Sequence, residues 1–214
     1  MITSTKRLVE TNGVRLQVTE AGDRGAPVVV LAHGFPELAH SWRHQIPALA
    51  AAGYHVLAPD QRGYAGSSRP QAIEDYDIVH LTGDLAGLLD DVGAERAVVV
   101  GHDWGSAVAW QVAGRHPNRI RSLTAISVPH PTAFGWALRE DEDQKQRSSY
   151  IGLLRQEGKA EEVLSEDNFR RLRAMFDGTL VAAGAYLLIL WRLWPDFATD
   201  IAFLFSSPQL AEVT

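Results

Sequence analysis

The chain contains no cysteine in 214 residues, which excludes disulfides, thiolate metal centres and cysteine catalysis together. It also has no block of one-sign charge. The net charge of -6 comes from 20 basic and 26 acidic residues scattered along the chain, so neither a nucleic-acid surface nor a polyanion partner is implied. A membrane span is missing as well, because the apolar stretch Thr179 to Trp194 is broken by Arg192 and falls short of the ~18 residues a bilayer requires. Met1 to Glu10 carries charge and lacks the continuous apolar core of a secretion signal, so a cytoplasmic location is expected. Repeats and low-complexity linkers are absent too. With 46% hydrophobic and 21% charged residues, what remains has the make-up of a globular protein with one sizeable domain, or a core carrying an inserted subdomain.

Hydrophobic patterning supplies the class. Lys6 to Glu10 and Val14 to Glu20, joined at Asn12-Gly13, read as an antiparallel pair, since Val14, Leu16 and Val18 alternate with polar residues. Pro27 to Ala32, Tyr54 to Ala58, Ala97 to Val100 and Ile120 to Val128 are apolar runs suited to strands buried on both faces. Between them, Trp42, Ile46, Leu49 and Ala50 recur at helical spacing, as do Ile78, Leu81, Leu85, Leu88, Leu89 and Val92 after a capping Asp77. Strands alternating with helices predict an α/β fold with a mostly parallel, doubly wound sheet, whose functional loops gather at the carboxyl ends of the strands. Four loops then converge: His33 to Glu37, Asp60 to Ser68, Gly101 to Gly105, and Pro129 to Thr132.

The third of these loops carries the chemistry. Gly101-His102-Asp103-Trp104-Gly105 lies where an apolar strand gives way to a helix that Pro117 stops. Glycines on both sides remove the side chains that would clash in a sharp strand-to-helix turn, so the middle residue can be held with its side chain projecting. This is the pattern of a nucleophile elbow with aspartate at its centre rather than serine. A carboxylate is already anionic at neutral pH and can attack an sp3 carbon directly, giving an alkyl-enzyme ester. The competing reading is a helix N-cap, a common position for aspartate.

His33-Gly34-Phe35-Pro36-Glu37, Asp60-x-Arg62-Gly63-Tyr64-x-Gly66-x-Ser68 and Gly101-His102-Asp103-Trp104-Gly105 together resemble the epoxide hydrolases of the α/β-hydrolase fold, bacterial type, from about Val14 to about Asp177. The resemblance implies backbone oxyanion donors at Phe35 and Trp104, worth roughly 3 kcal/mol each. It implies a lid proton donor at Tyr150, with Tyr186 as a weaker second tyrosine. His33, Pro36, His102 and Pro129 are expected about the substrate pocket. His33 is also expected to hold its loop by hydrogen bonding, His102 to pack beside the elbow, and Pro36 to follow a cis peptide. Asp60 and Arg62 are expected to brace their loop. Neither cofactor nor metal is expected; the partners are a small apolar epoxide and water.

The resemblance implies residues 1–132 as hydrolase core, 133–194 as helical lid and 195–214 as an atypical tail. Within the lid, the charge runs Glu140 to Lys145, Glu161-Glu162 and Arg170 to Arg173 read as solvated faces. The family's general base is a histidine well beyond the lid, yet the last histidine here is His130, and the acid that orients the base is equally unmatched. The chain therefore reads as truncated, lacking the last strands of the sheet. Two consequences are expected: a covalent ester that hydrolyses slowly, and an exposed sheet edge that invites homodimerisation or aggregation. A haloalkane dehalogenase, and an inactive fragment or non-catalytic binding module, are the alternative functions.

Overall fold

The computed structural model describes residues 3–174. Six strands form one sheet in the order β1-β2-β4-β3-β5-β6. β1 (Thr5–Thr11) and β2 (Val14–Ala21) pair antiparallel, and β2 pairs antiparallel with β4 (His55–Pro59). β3 (Val28–Ala32), β4, β5 (Ala97–His102) and β6 (Ile120–Ile126) run parallel. The parallel strands open on the loops that the sequence pattern picked out.

Burial on both faces explains why β3 and β4 read as continuous apolar runs: all five residues of each are buried. In β3, Val28, Val30 and Ala32 pack on one side with Leu85, Leu88 and Leu89 of α2 (Ile78–Asp91) and Val108, Ala109 and Val112 of α3 (Trp104–Arg115). Val29 and Leu31 face the other side, with Ile46, Leu49 and Ala50 of α1 (Gln45–Ala51). This is the two-residue alternation of a strand inside a three-layer sandwich. Each fully buried leucine contributes roughly 2 kcal/mol of transfer free energy. Asp77 caps α2 as expected, its side chain accepting from the His80 N–H at 2.8 Å.

Trp42 departs from the helix predicted for it. It ends a separate 3-10 turn (Ala39–Trp42) ahead of α1, and its buried ring still joins the core. Two predicted strands also end elsewhere: β6 stops at Ile126 and β5 continues to His102. After β6 the strand-helix alternation gives way to α4 (Pro131–Glu140), α5 (Glu142–Arg147) and α6 (Ser149–Leu154), none of which contains a buried residue. Their charged faces are solvated, with short-range pairs such as Arg147 to Asp143 at 2.6 Å. The stretches from Thr179 to Trp194 and Ile201 to Phe205, together with Tyr186, lie outside the described residues. Among the described residues no helix is long and apolar enough to cross a membrane.

Candidate active site

Asp103 sits between β5 and α3 at φ 51° and ψ −121°. A left-handed conformation costs a non-glycine residue free energy and persists only when its surroundings enforce it. The surroundings here do so. A Cβ on Gly101 would lie 2.3 Å from the Gly105 carbonyl oxygen, and one on Gly105 would lie 2.2 Å from that of Ala32. Only glycine permits the strand, the turn and the helix to approach so closely.

The Asp103 side chain does not cap the helix. Its carbonyl accepts from the N–H groups of Ser106 and Ala107, but its carboxylate makes no capping bond to the helix. Instead Oδ1 accepts from the Phe35 N–H at 2.9 Å. Trp104, the first residue of α3, has an N–H without an intrahelical acceptor. Gly34 is what lets Phe35 approach, since a Cβ there would fall 2.5 Å from the Asp103 Cβ and 2.7 Å from Oδ1.

Two buried devices hold this contact. Glu37 Oε2 accepts from the Gly34 N–H at 3.2 Å and meets His102 Nδ1 at 3.0 Å, so one carboxylate ties the Phe35 turn to the elbow. Burial acts to raise the Glu37 carboxyl, but the hydrogen bond and charge of His102 outweigh it, and the group lies below the usual range. His33 is fully buried. Its Nε2 accepts from the Gln61 N–H at 3.0 Å, which places the proton on Nδ1 to donate to the Gly34 carbonyl at 2.8 Å. Burial lowers its pKa, so the ring is a neutral brace. The Phe35–Pro36 peptide is cis.

The loop after β4 is braced as expected. Asp60 accepts from the Ala39 N–H at 2.8 Å and the Gln17 amide at 2.6 Å. Arg62, almost wholly buried, makes a two-pronged pair with Asp84 at 2.6 and 2.7 Å. Tyr64 stands edge-on to His33, with ring centroids 4.8 Å apart. Burial, together with the charge of Asp103, raises its hydroxyl to about 12.

Asp103 and Trp104 open into a cavity of about 560 Å³, walled by Ile78, Val128, Phe134 and Tyr150 among others. Tyr150, on α6, is therefore brought to the same cavity as Asp103. Partial desolvation and the Asp103 charge raise its pKa, which keeps the hydroxyl protonated and able to donate. His33, Pro36, His102 and Pro129 are not among the lining residues. For the two histidines the pocket expectation is corrected: His33 and His102 are buried behind the loops, with their hydrogen bonds turned to Gly34, Gln61 and Glu37. All eight histidines of the chain fall within the described residues, and none lines this cavity. His130 caps α4, its Nδ1 accepting from the Thr132 N–H at 3.2 Å, with its ring edge-on to Trp110.

Sequence reasoning missed the Glu37–His102 tie, the closeness of Gly34 to Asp103, and the lining residues Gln111 and Arg115. The tie joins residues 65 positions apart and leaves no local periodicity. The two lining residues had a signal, since they continue the helical face of Trp104 and Ala107 at four-residue steps.

Comparison with known proteins gives the family. Residues 27–157 match the model of the alpha/beta hydrolase fold family. The chain is 58% identical over 180 residues to Epoxide hydrolase A of Mycobacterium tuberculosis, covering 81% of this chain and 55% of that protein. It is 42% identical over 166 residues to AB hydrolase superfamily protein YfhM of Bacillus subtilis, covering 78% and 58%. The crystal structure of Epoxide Hydrolase A from Mycobacterium thermoresistibile superposes with a TM-score of 0.66 at 52% identity, over 77% of this chain and 53% of that one. An inhibitor complex of the Bacillus megaterium epoxide hydrolase gives a TM-score of 0.76 at 31% identity, over 81% and 60%. The chain thus spans little more than half the length of these relatives.

Proposed function

The chain belongs to the α/β-hydrolase fold family, and from that premise we propose that it opens epoxides by attack of Asp103 on a ring carbon. The observation that carries the reading is the Asp103 carboxylate, released from helix capping, held through Oδ1 by the Phe35 N–H and facing the cavity. The names of the relatives support the same substrate class.

With Oδ1 anchored, Oδ2 attacks a ring carbon, the C–O bond breaks, and its electron pair goes to the epoxide oxygen. Tyr150 supplies the proton that this oxygen takes, leaving a 2-hydroxyalkyl ester on Asp103. In the second half-reaction water adds to the ester carbonyl. The negative charge then develops on Oδ1, where the N–H groups of Phe35 and Trp104 receive it. Collapse releases a vicinal diol and regenerates the carboxylate. That addition needs a base for the water proton, and no histidine lines the cavity, so the ester outlives its formation in this chain. The helices after β6 act as the lid, carrying Tyr150 over the elbow.

Tyr150 separates this reading from a haloalkane dehalogenase, since a departing halide needs no proton whereas an alkoxide does. Incubation with styrene oxide and, separately, with 1-chlorohexane discriminates them. Covalent labelling or diol from the epoxide without chloride release is expected; chloride release without reaction of the epoxide would overturn the assignment.

A further inference from the structure

A second cavity, of about 330 Å³, opens at the amino end of the parallel strands. Its walls include Arg96, just before β5, and Arg121, near the start of β6, whereas Asp103 follows the last residue of β5. At ~3.3 Å per residue, the six-residue β5 holds the two cavities about 20 Å apart. The volume lies near the lower end of the ~300–1,000 Å³ of small-molecule pockets.

A break in the strand ladder delivers Arg121. Ala97 pairs with Ile120 and Val98 with Ser122, so Arg121 is the extra residue of a β-bulge. A bulge re-aims a side chain out of the regular alternation, and this one lines the cavity. The wall around it is laced together. Arg96 donates to the Ile120 carbonyl at 3.2 Å, and Arg119 donates back to the carbonyls of Glu95 and Ala94 at 2.9 and 3.2 Å. The segment before β5 and the start of β6 thereby fix each other.

Positive charge is left over. Arg24 is paired with Glu20 and Arg119 with Asp90. Arg121, by contrast, makes no ion pair or hydrogen bond to any described residue, and Arg96 meets only the Ile120 carbonyl among them. Glu95 stands on the same wall without pairing with either arginine. Pro27, Val28 and Val98 supply an apolar side. One guanidinium fork saturates a carboxylate, whereas two forks from separate segments suit the three terminal oxygens and double charge of a phosphate monoester.

We propose that this cavity binds a compact organic phosphate, with the phosphate between Arg96 and Arg121 and the organic group against Pro27, Val28 and Val98. Glu95 repels a further anionic group, so a monoester is preferred to a diphosphate. The site does not depend on Asp103 acting as a nucleophile.

Calorimetric titration of the 214-residue chain with phenyl phosphate, phenol and inorganic phosphate tests the proposal. Phenyl phosphate is expected to bind more tightly than either of the others. Its affinity is expected to fall about five- to tenfold in Arg121→Gln and, separately, in Arg96→Gln, the range of a charge-assisted contact at exposed side chains. Arg121→Gln removes no hydrogen bond to a described residue, so Tm is expected to stay at the wild-type value and lost binding then reports the site. Arg121→Lys keeps the charge without the fork and is expected to restore only part of the affinity. Arg115→Gln, in the other cavity, is expected to leave binding unchanged. No binding of phenyl phosphate at millimolar concentration, binding unaltered by Arg121→Gln, or a loss confined to Arg115→Gln would overturn the proposal. Inorganic phosphate binding as tightly as phenyl phosphate would overturn the organic class of ligand.

Discussion

Gly34→Ala is the perturbation from which the structure gives the clearest magnitude. The added Cβ would sit 2.5 Å from the Asp103 Cβ, against an ordinary contact of at least 3.4 Å, so the two backbones must part by about 0.9 Å (3.4 less 2.5). The near neighbours are the Cβ and carboxylate of Asp103, which the elbow holds in place, and not the end of a flexible side chain. The 2.9 Å bond from the Phe35 N–H to Oδ1 is then stretched beyond hydrogen-bonding range. On the proposed mechanism, a displaced Asp103 without its donor costs on the order of a hundredfold in rate. Overpacking costs about 1–3 kcal/mol in stability, which lowers Tm by roughly 2–10 °C for a chain of this size. Single-turnover labelling of Asp103 by an aryl epoxide, followed by intact mass, reads the first effect, and circular dichroism melting reads the second. A folded Gly34→Ala chain that labels at the wild-type rate would refute the claim that the approach of Phe35 to Asp103 organises the site.

Removing the Tyr150 hydroxyl with Tyr150→Phe is expected to slow labelling on the order of a hundredfold while the protein stays folded. Because partial desolvation and the Asp103 charge raise the Tyr150 pKa, the wild-type labelling rate is expected to persist above pH 10, where an ordinary tyrosine has ionised, and to fall only at higher pH. A rate that declines from pH 9 would contradict the donor's environment. Glu20 gives the acid-side prediction. Burial works to raise its carboxyl, but hydrogen bonds from Arg7, His55 and Arg24 outweigh this and bring it to about 2 from 4.5. A depressed carboxyl contributes stability that is present above its unfolded pKa and lost as pH falls through the folded one, so the melting temperature of wild type is expected to drop between about pH 4.5 and 2. Glu20→Gln should show a smaller drop across that window, and an equal drop would be the contrary result. At β6, one edge has no strand partner among the described residues, so the chain is expected to associate as its concentration rises. A monomer at every concentration in size-exclusion chromatography with light scattering would argue against it.

Much of the site is legible in the sequence because its parts are local. The elbow is five consecutive residues whose glycines report backbone crowding, and the positive φ at Asp103 realises that crowding. The strands are legible for the same reason, since full burial of β3 and β4 forces unbroken apolar runs. What escapes is non-local or geometric. The placement of β4 between β2 and β3 depends on crossover connections rather than on any residue pattern. The role of Gly34 is a distance to a side chain 69 positions away, and the Glu37–His102 tie is of the same kind. His33 is legible in part: the expected loop-holding hydrogen bonds are present, while its burial with both nitrogens engaged keeps it off the cavity wall.

On the proposed mechanism, Asp103 supplies the oxygen of a covalent ester bond to substrate. The most direct test follows the intact mass of the 214-residue chain over time in excess styrene oxide, with peptide mapping and Asp103→Asn as control. One added epoxide mass per chain, located on Asp103, absent from the control and outlasting removal of free epoxide, is the predicted result. Sustained diol formation without an adduct, or labelling undiminished in Asp103→Asn, would contradict it.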